Sequence, residues 1–383
     1  MRLLVILGVT LALTGCQTVS GIYDSWFGSK PKQKAAELTS FKASASASIV
    51  WQGGVGSGGR SAFYPVVVGN TVYAGGEAGQ IAAFTANSGA GQARFDAGMP
   101  LSGGIGHGSG LILAGTAKGE VLAFEASGKL AWKTQLSGEV LSPPAGADGV
   151  VVVRTGDGRI HGLNAADGKQ RWTYQRALPS LAIRSFAGVV VSRGAVFAGF
   201  PGGRLVAIAL ATGNVGWESV VALPKGATEL ERVADVTSYP VIDGRQVCAV
   251  AFQGRLSCFD PATGSTLWAR DVSSIAGMAM DARNVYVSDD RDAVLAFDGS
   301  TGASLWKQDK LQGRWASAPL VLGRHVIVGD FEGYVHVLSR EDGSFAARIA
   351  TDGSAIRVPP VALDLSTFLV QTHNGGVYAI SVQ

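Results

Sequence analysis

Few residues of this chain stand where chemistry would need them. Gly54-Val55-Gly56-Ser57-Gly58-Gly59 has the G-x-G-x-x-G spacing that lets a backbone approach a pyrophosphate, but Phe63-Tyr64-Pro65-Val66 follows where a helix would have to begin. Without a helix N-terminus to hold phosphate, the stretch reads as a glycine-rich loop. The five histidines, His107, His161, His325, His336 and His373, are scattered, and none is spaced as a zinc-binding helix pair. Asp289-Asp290-Arg291-Asp292 gathers three carboxylates in one turn, yet the fixed spacing and terminal Glu of a calcium loop are missing. No Gly-x-Ser-x-Gly marks an activated serine. Cys248 and Cys258 flank one expected hairpin. A two-residue turn at Gln253-Gly254 would send their thiols to opposite faces, whereas a shifted turn would bring them together as a disulfide. The expectation is a protein without catalytic residues, metal site or cofactor.

Cys16 carries the clearest chemistry. Arg2 is a short positive region, and Leu3 to Leu13 is an apolar run too short to span a bilayer. The run ends in Leu13-Thr14-Gly15-Cys16, which resembles a bacterial lipobox. Residues 1–15 then read as a lipoprotein signal peptide and Cys16 as the lipidated first residue of the mature chain. Two or more acyl chains make such anchoring effectively stable. Gln17 stands where an Asp would retain the protein at the inner membrane, so transport to the outer membrane is expected, with the body on the periplasmic face. Residues 16–46 read as lipidated Cys and a flexible Ser-, Ala-, Lys- and Gly-rich tether, and 47–383 as one folded domain.

The rest of the chain exists to build one repeated element. Charged residues are only 16% and glycine reaches 53 of 383, while 47% of residues are hydrophobic. That balance excludes global disorder and favours many short strands joined by tight turns. The net charge of +3 has no Lys/Arg block behind it, so no nucleic-acid partner is expected. Strands of one pattern recur from Gly79-Gln-Ile-Ala-Ala-Phe84 to Gly375-Gly-Val-Tyr-Ala-Ile380, in eight copies some 38 to 51 residues apart. Five units add Gly-x-x-x-Trp, at Gly128/Trp132, Gly168/Trp172, Gly213/Trp217, Gly264/Trp268 and Gly302/Trp306. The first unit has Phe95 instead, and the seventh departs, with Phe345 two residues after Gly343. Such a period predicts an all-β fold: an eight-bladed β-propeller of four-stranded antiparallel blades. The last unit stops at Gln383, before any Trp strand. Ser48-Ile-Val-Trp51 reads like that missing strand, so the N-terminal strand is expected to close the ring.

Lipobox, tether and Trp-bearing blades together resemble the BamB (YfgL) family, lipoproteins of the outer-membrane β-barrel assembly (BAM) complex. The resemblance covers essentially the whole chain. Leu178-Pro-Ser-Leu181-Ala-Ile183-Arg184-Ser185 and Leu230-Glu231-Arg232-Val233-Ala234-Asp235-Val236 are its more particular stretches. It implies a non-enzymatic scaffold that docks on the POTRA domains of BamA, works beside the rest of the complex, and assists the folding and insertion of nascent outer-membrane proteins. Leu181, Ile183, Arg184 and Asp235 are the contact candidates it implies. Thr237 stands where a second acid is expected.

Connection lengths point to the same place. Trp172 to Gly203 spans 31 residues and Trp217 to Gly254 spans 37, longer than elsewhere in the chain. Both long connections precede the first strand of a blade, so they emerge on one face from neighbouring blades. Long loops on a rigid scaffold commonly bind. The competing expectation is a dehydrogenase using pyrroloquinoline quinone and calcium, since quinoprotein alcohol dehydrogenases share the propeller and its docking motif. An adjacent Cys-Cys pair and a C-x-x-C-H haem site, which would favour it, are absent from the sequence.

Overall fold

The computed structural model describes residues 35–383. The signal-peptide and lipidation readings, and the tether reading as far as residue 34, lie outside the described residues. Among the described residues are thirty-two strands and no helix. Glycine turns and short apolar runs leave no room for the longer 3.6-residue periodicity a helix needs. The strands form eight successive antiparallel groups of four in a β-propeller. Two neighbouring groups, spanning residues 105–135 and 145–175, touch through one parallel pairing, Gly146 with Gly108. Within a group the chain runs from inner to outer strand, as in Val189–Ser192, Ala195–Phe200, Arg204–Ala209 and Val215–Val220. Middle strands such as Val150–Arg154 are buried on both faces, whereas outer strands such as Gln170–Gln175 bury little beyond Trp172. The last group takes its outer strand from the other end of the chain. Ala47–Gly54 pairs antiparallel with Gly376–Val382, from Ala47 opposite Val382 to Gly54 opposite Gly376.

The Gly-x-x-x-Trp motif works between units rather than within one. The indole N–H of Trp132 donates to the Ala165 carbonyl of the next group at 2.8 Å, and that of Trp172 donates to Leu210 at 2.9 Å. Trp51, Trp217, Trp268 and Trp306 do the same to Ala86, Pro261, Gly299 and Arg340. Each ring then lies on the turn glycine of the following unit. A Cβ at Gly168 would come within 2.5 Å of the Trp132 ring, and Gly168 also has φ +71°. Glycine alone meets both demands. Eight apolar clusters lie between neighbouring groups; one, built on Trp51, Val72, Phe84, Leu369 and Val377, joins the last group to the first.

The seventh unit departs from this pattern. Ala347 occupies the pairing position that Trp306 holds one group earlier, so the outer edge lacks its indole. Phe345, paired with Leu338, faces the opposite wedge, where Trp306 lies, and Phe41 stacks on it with ring centroids 5.4 Å apart. Arg348 lies over the Phe41 ring at 5.1 Å and donates to the Thr39 carbonyl at 3.1 Å. The backbone N–H groups of Ser44 and Ala45 donate to the Ala346 carbonyl, and buried Arg314 donates to that of Ala36 at 2.9 Å. Residues 35–46 are therefore a strap packed on the propeller and not part of a tether. Composition alone suggested a linker; the Phe345 ring, Arg348, Arg314 and the Ala346 carbonyl are what hold the segment down.

Candidate functional site

The two long connections meet on one face. The first joins Gln170–Gln175 to Val189–Ser192, and the second joins Val215–Val220 to Val241–Ile242. What locks them together is Asp235. Its carboxylate accepts the N–H of Ile183 at 2.7 Å and that of Gly202 at 3.0 Å, while its backbone carbonyl accepts from Phe252 N–H at 2.8 Å. One acid thus pins the first connection, the Phe200–Arg204 turn and the second connection to each other. This corrects the sequence expectation for Asp235. At 1% exposure its side chain meets no partner across a surface. A carboxylate in a loop reads as solvent-facing until the fold supplies two backbone donors to bury it with.

Arg184 and Leu181 do reach the surface. Leu181 is 43% exposed, and Ile183 is half-buried beside it. Arg184 makes a two-pronged contact with Glu139, Nε to Oε1 at 3.1 Å and a terminal nitrogen to Oε2 at 2.9 Å, and leaves the rest of its fork in solvent. The bonds to Glu139 raise its pKa above the ordinary value. Sequence reasoning missed Glu139, which lies in the connection entering the group before; nothing in the repeat pattern announces that pairing. It also missed Leu223 and Leu230, at 59% and 72% exposure. Both sit in the longest connection, and their apolar character in a loop was the available signal.

Beneath the loops lies Arg154. Burial pushes its pKa down to about 10, with Tyr239 and Asp235 opposing, and it donates to the Ala187 carbonyl at 3.0 Å. It therefore braces the root of the first connection. Thr237, where an acid was expected, is buried and donates to the Ile275 carbonyl at 3.2 Å.

Other candidates resolve as structure. Cys248 and Cys258 stand directly opposite each other and form a disulfide. The turn is the shifted one: Ala251 N–H donates to Arg255 O, and Gln253 takes φ +48°. The Gly54–Gly59 loop stitches the first group to the last, with Val55 and Gly58 N–H donating to Gly375 and His373 carbonyls. His161 bonds Thr155 and Gln170, and His336 bonds Asp330. The Asp289 and Asp292 carboxylates accept backbone N–H groups of Arg291, Ala293 and Ala316. Among the described residues no three His, Cys, Asp or Glu side chains gather as metal donors.

A family model described as "Outer membrane protein assembly factor BamB" matches residues 77–308 and 291–383. The outer membrane protein assembly factor BamB of Nitrosomonas eutropha is 45% identical, covering 99% of this chain and 94% of that one. The crystal structure of BamB from Moraxella catarrhalis superposes with a TM-score of 0.81 at 24% identity, covering 88% of this chain and all of that one. Quinohemoprotein alcohol dehydrogenase from Comamonas testosteroni superposes at 0.70 with 13% identity, covering 88% of this chain and 76% of that one. At those identities both solved structures are likenesses of fold alone.

Proposed function

The chain belongs to the BamB family of outer membrane protein assembly factors, and from that premise we propose that it is a non-enzymatic scaffold of the outer-membrane β-barrel assembly complex. We read its eight strand groups as eight blades, closed into a ring by Ala47–Gly54. Cys16 carries lipid and holds the protein to the periplasmic face of the outer membrane. The patch of Leu181, Ile183 and Arg184 docks on the POTRA domains of BamA, where the scaffold assists folding and insertion of nascent outer-membrane proteins. Asp235 belongs to this site as a positioning residue: it holds the Ile183 backbone and touches no partner.

The observation that carries the reading is the locked loop. Exposed Leu181 beside the half-free fork of Arg184 has the apolar-plus-arginine composition of interface hot spots. The two hydrogen bonds of Asp235 present it rigidly, which spares the ordering cost of binding. Leu223 and Leu230 extend the apolar area on the adjoining connection. The test is affinity purification from detergent-solubilised membranes, with BamA identified by mass. Leu181→Asp should remove BamA from the eluate without lowering the melting temperature. Undiminished BamA recovery would refute the assigned patch.

A further inference from the structure

Connections entering six of the eight strand groups converge on one cavity of about 300 Å³, on the face that carries the long loops. Its walls are apolar, with Phe186, Met278 and Val358 prominent, and no carboxylate lines it. Tyr64 donates to the Tyr239 hydroxyl at 2.6 Å within it. Burial pushes both phenols up, Tyr239 to about 12, so neither brings a negative charge.

Two groups there lack partners. The hydroxyl of Ser238 is buried, with its residue only 7% exposed, and makes no hydrogen bond. Such groups are rare and call for an explanation. Arg357 stands exposed in the cavity lining, and among the described residues it has neither an ion-pair nor a hydrogen-bond partner. Arg184, the other cation of the lining, already holds Glu139. The site therefore combines an apolar interior, one unmatched hydroxyl and one unmatched cation.

We infer that this cavity binds an extended polypeptide through an apolar side chain whose sequence neighbour is acidic. The apolar group enters between Phe186, Met278 and Val358. A turn about the Ser238 Cα–Cβ bond brings its buried hydroxyl to the cavity, where the adjoining backbone supplies the partner it lacks, and the carboxylate meets Arg357. A polypeptide is the occupant because Ile183 and Arg184 belong both to this lining and to the exposed loop patch, so whatever lies on the patch passes over the cavity mouth. The inference rests on the loop patch being a docking surface and goes beyond it in Ser238 and Arg357.

The test uses the full-length lipoprotein in detergent and a fluorescein-labelled octapeptide carrying a central Phe-Asp pair. Peptides with Phe-Lys or Ser-Asp at the same place are the controls. The Phe-Asp peptide should bind about tenfold or more tightly than either, and Arg357→Glu should invert the preference between Asp and Lys. Ser238→Ala should weaken binding about threefold while leaving the melting temperature unchanged or raised, because a hydroxyl buried without a partner opposes folding. A merely structural serine would instead lower it. Equal affinity for the three peptides, or unaltered binding by Arg357→Glu, would overturn the inference. BamA recovery with Leu181→Asp is followed in parallel, so failure of the docking patch shows separately from failure of the cavity.

Discussion

Replacing Asp235 with Ala separates holding a loop from touching a partner. The variant loses two charge-assisted hydrogen bonds, from Ile183 N–H at 2.7 Å and Gly202 N–H at 3.0 Å, and leaves both donors unmatched in a part-buried site. Bonds to charged groups are each worth about 1.5–3 kcal/mol, so the expected loss of stability is about 3 kcal/mol or more. With an unfolding entropy near 2 cal/mol/K per residue, that lowers the melting temperature by about 4 °C. The first connection, freed from its pin, then has to be ordered again on binding. We expect BamA affinity to fall by about 2 kcal/mol, roughly thirtyfold. Three measurements follow the chain of cause: amide exchange at Ile183, melting temperature, and affinity for the POTRA domains. Exchange at Ile183 should accelerate in Asp235→Ala but not in Leu181→Ala. In a double-mutant cycle the two losses of affinity should fall short of additive, since both act through one loop. Leu365→Ala, at a site 92% exposed in a different turn, is the control. Parental melting temperature and slow Ile183 exchange in Asp235→Ala would refute the pin. A destabilised variant that still binds BamA like the parent would refute the loop as the docking surface.

The remaining expectations concern the rest of the molecule. Phe41→Ala should strip the strap from Phe345 and Arg348, at a cost of about 3 kcal/mol and with proteolysis opening at residues 35–46; equal melting would count against a structural strap. The Cys248→Ala/Cys258→Ala pair should lose about 3 kcal/mol in urea unfolding, because the disulfide closes a ten-residue separation. His336 is neutral in the fold, since its Nδ1 accepts from Arg348 Nε at 3.1 Å and its Nε2 faces Asp330. Burial holds its pKa below the ordinary 6.5, aided by Arg348 and Arg314 and opposed by Asp330. The unfolded chain then takes up this proton first, so the contribution is full above about pH 6.5 and declines as pH falls toward the folded pKa. His336→Gln should flatten that slope between about pH 7.5 and about pH 5, and an unchanged slope would exclude the residue as its source. Cys16→Ala should move the protein into soluble fractions without unfolding it. Persistence in the outer membrane both with and without BamA would refute the lipid anchor.

Much was legible in the residues themselves. Glycine spacing predicted strands, turns and their repetition, because a positive-φ turn leaves a mark at a single position. The Trp periodicity predicted packing between sheets, because an indole that must be buried recurs wherever the wedge recurs. Trp51 without a unit before it pointed to an outer strand shared by the two chain ends. These are local demands, and each is met by a residue type at a known spacing. The destinations of polar side chains were not local. Whether Asp235 faces solvent depended on Ile183, 52 positions away, and on Gly202 arriving beside it. Glu139 became the partner of Arg184 only when neighbouring groups were set side by side. Phe41 turned a linker composition into a packed strap because Phe345 and Arg348, some 300 residues later, receive its ring. The cysteines met because the turn holds three residues, Phe252-Gln253-Gly254, rather than two, and a one-residue slip moves every side chain to the other face of a strand. The sequence by itself therefore determined the repeated scaffold and the face on which its long loops emerge. Only the tertiary structure decided which loop residues stay free to bind, since burying a polar group depends on donors and acceptors brought from distant parts of the chain.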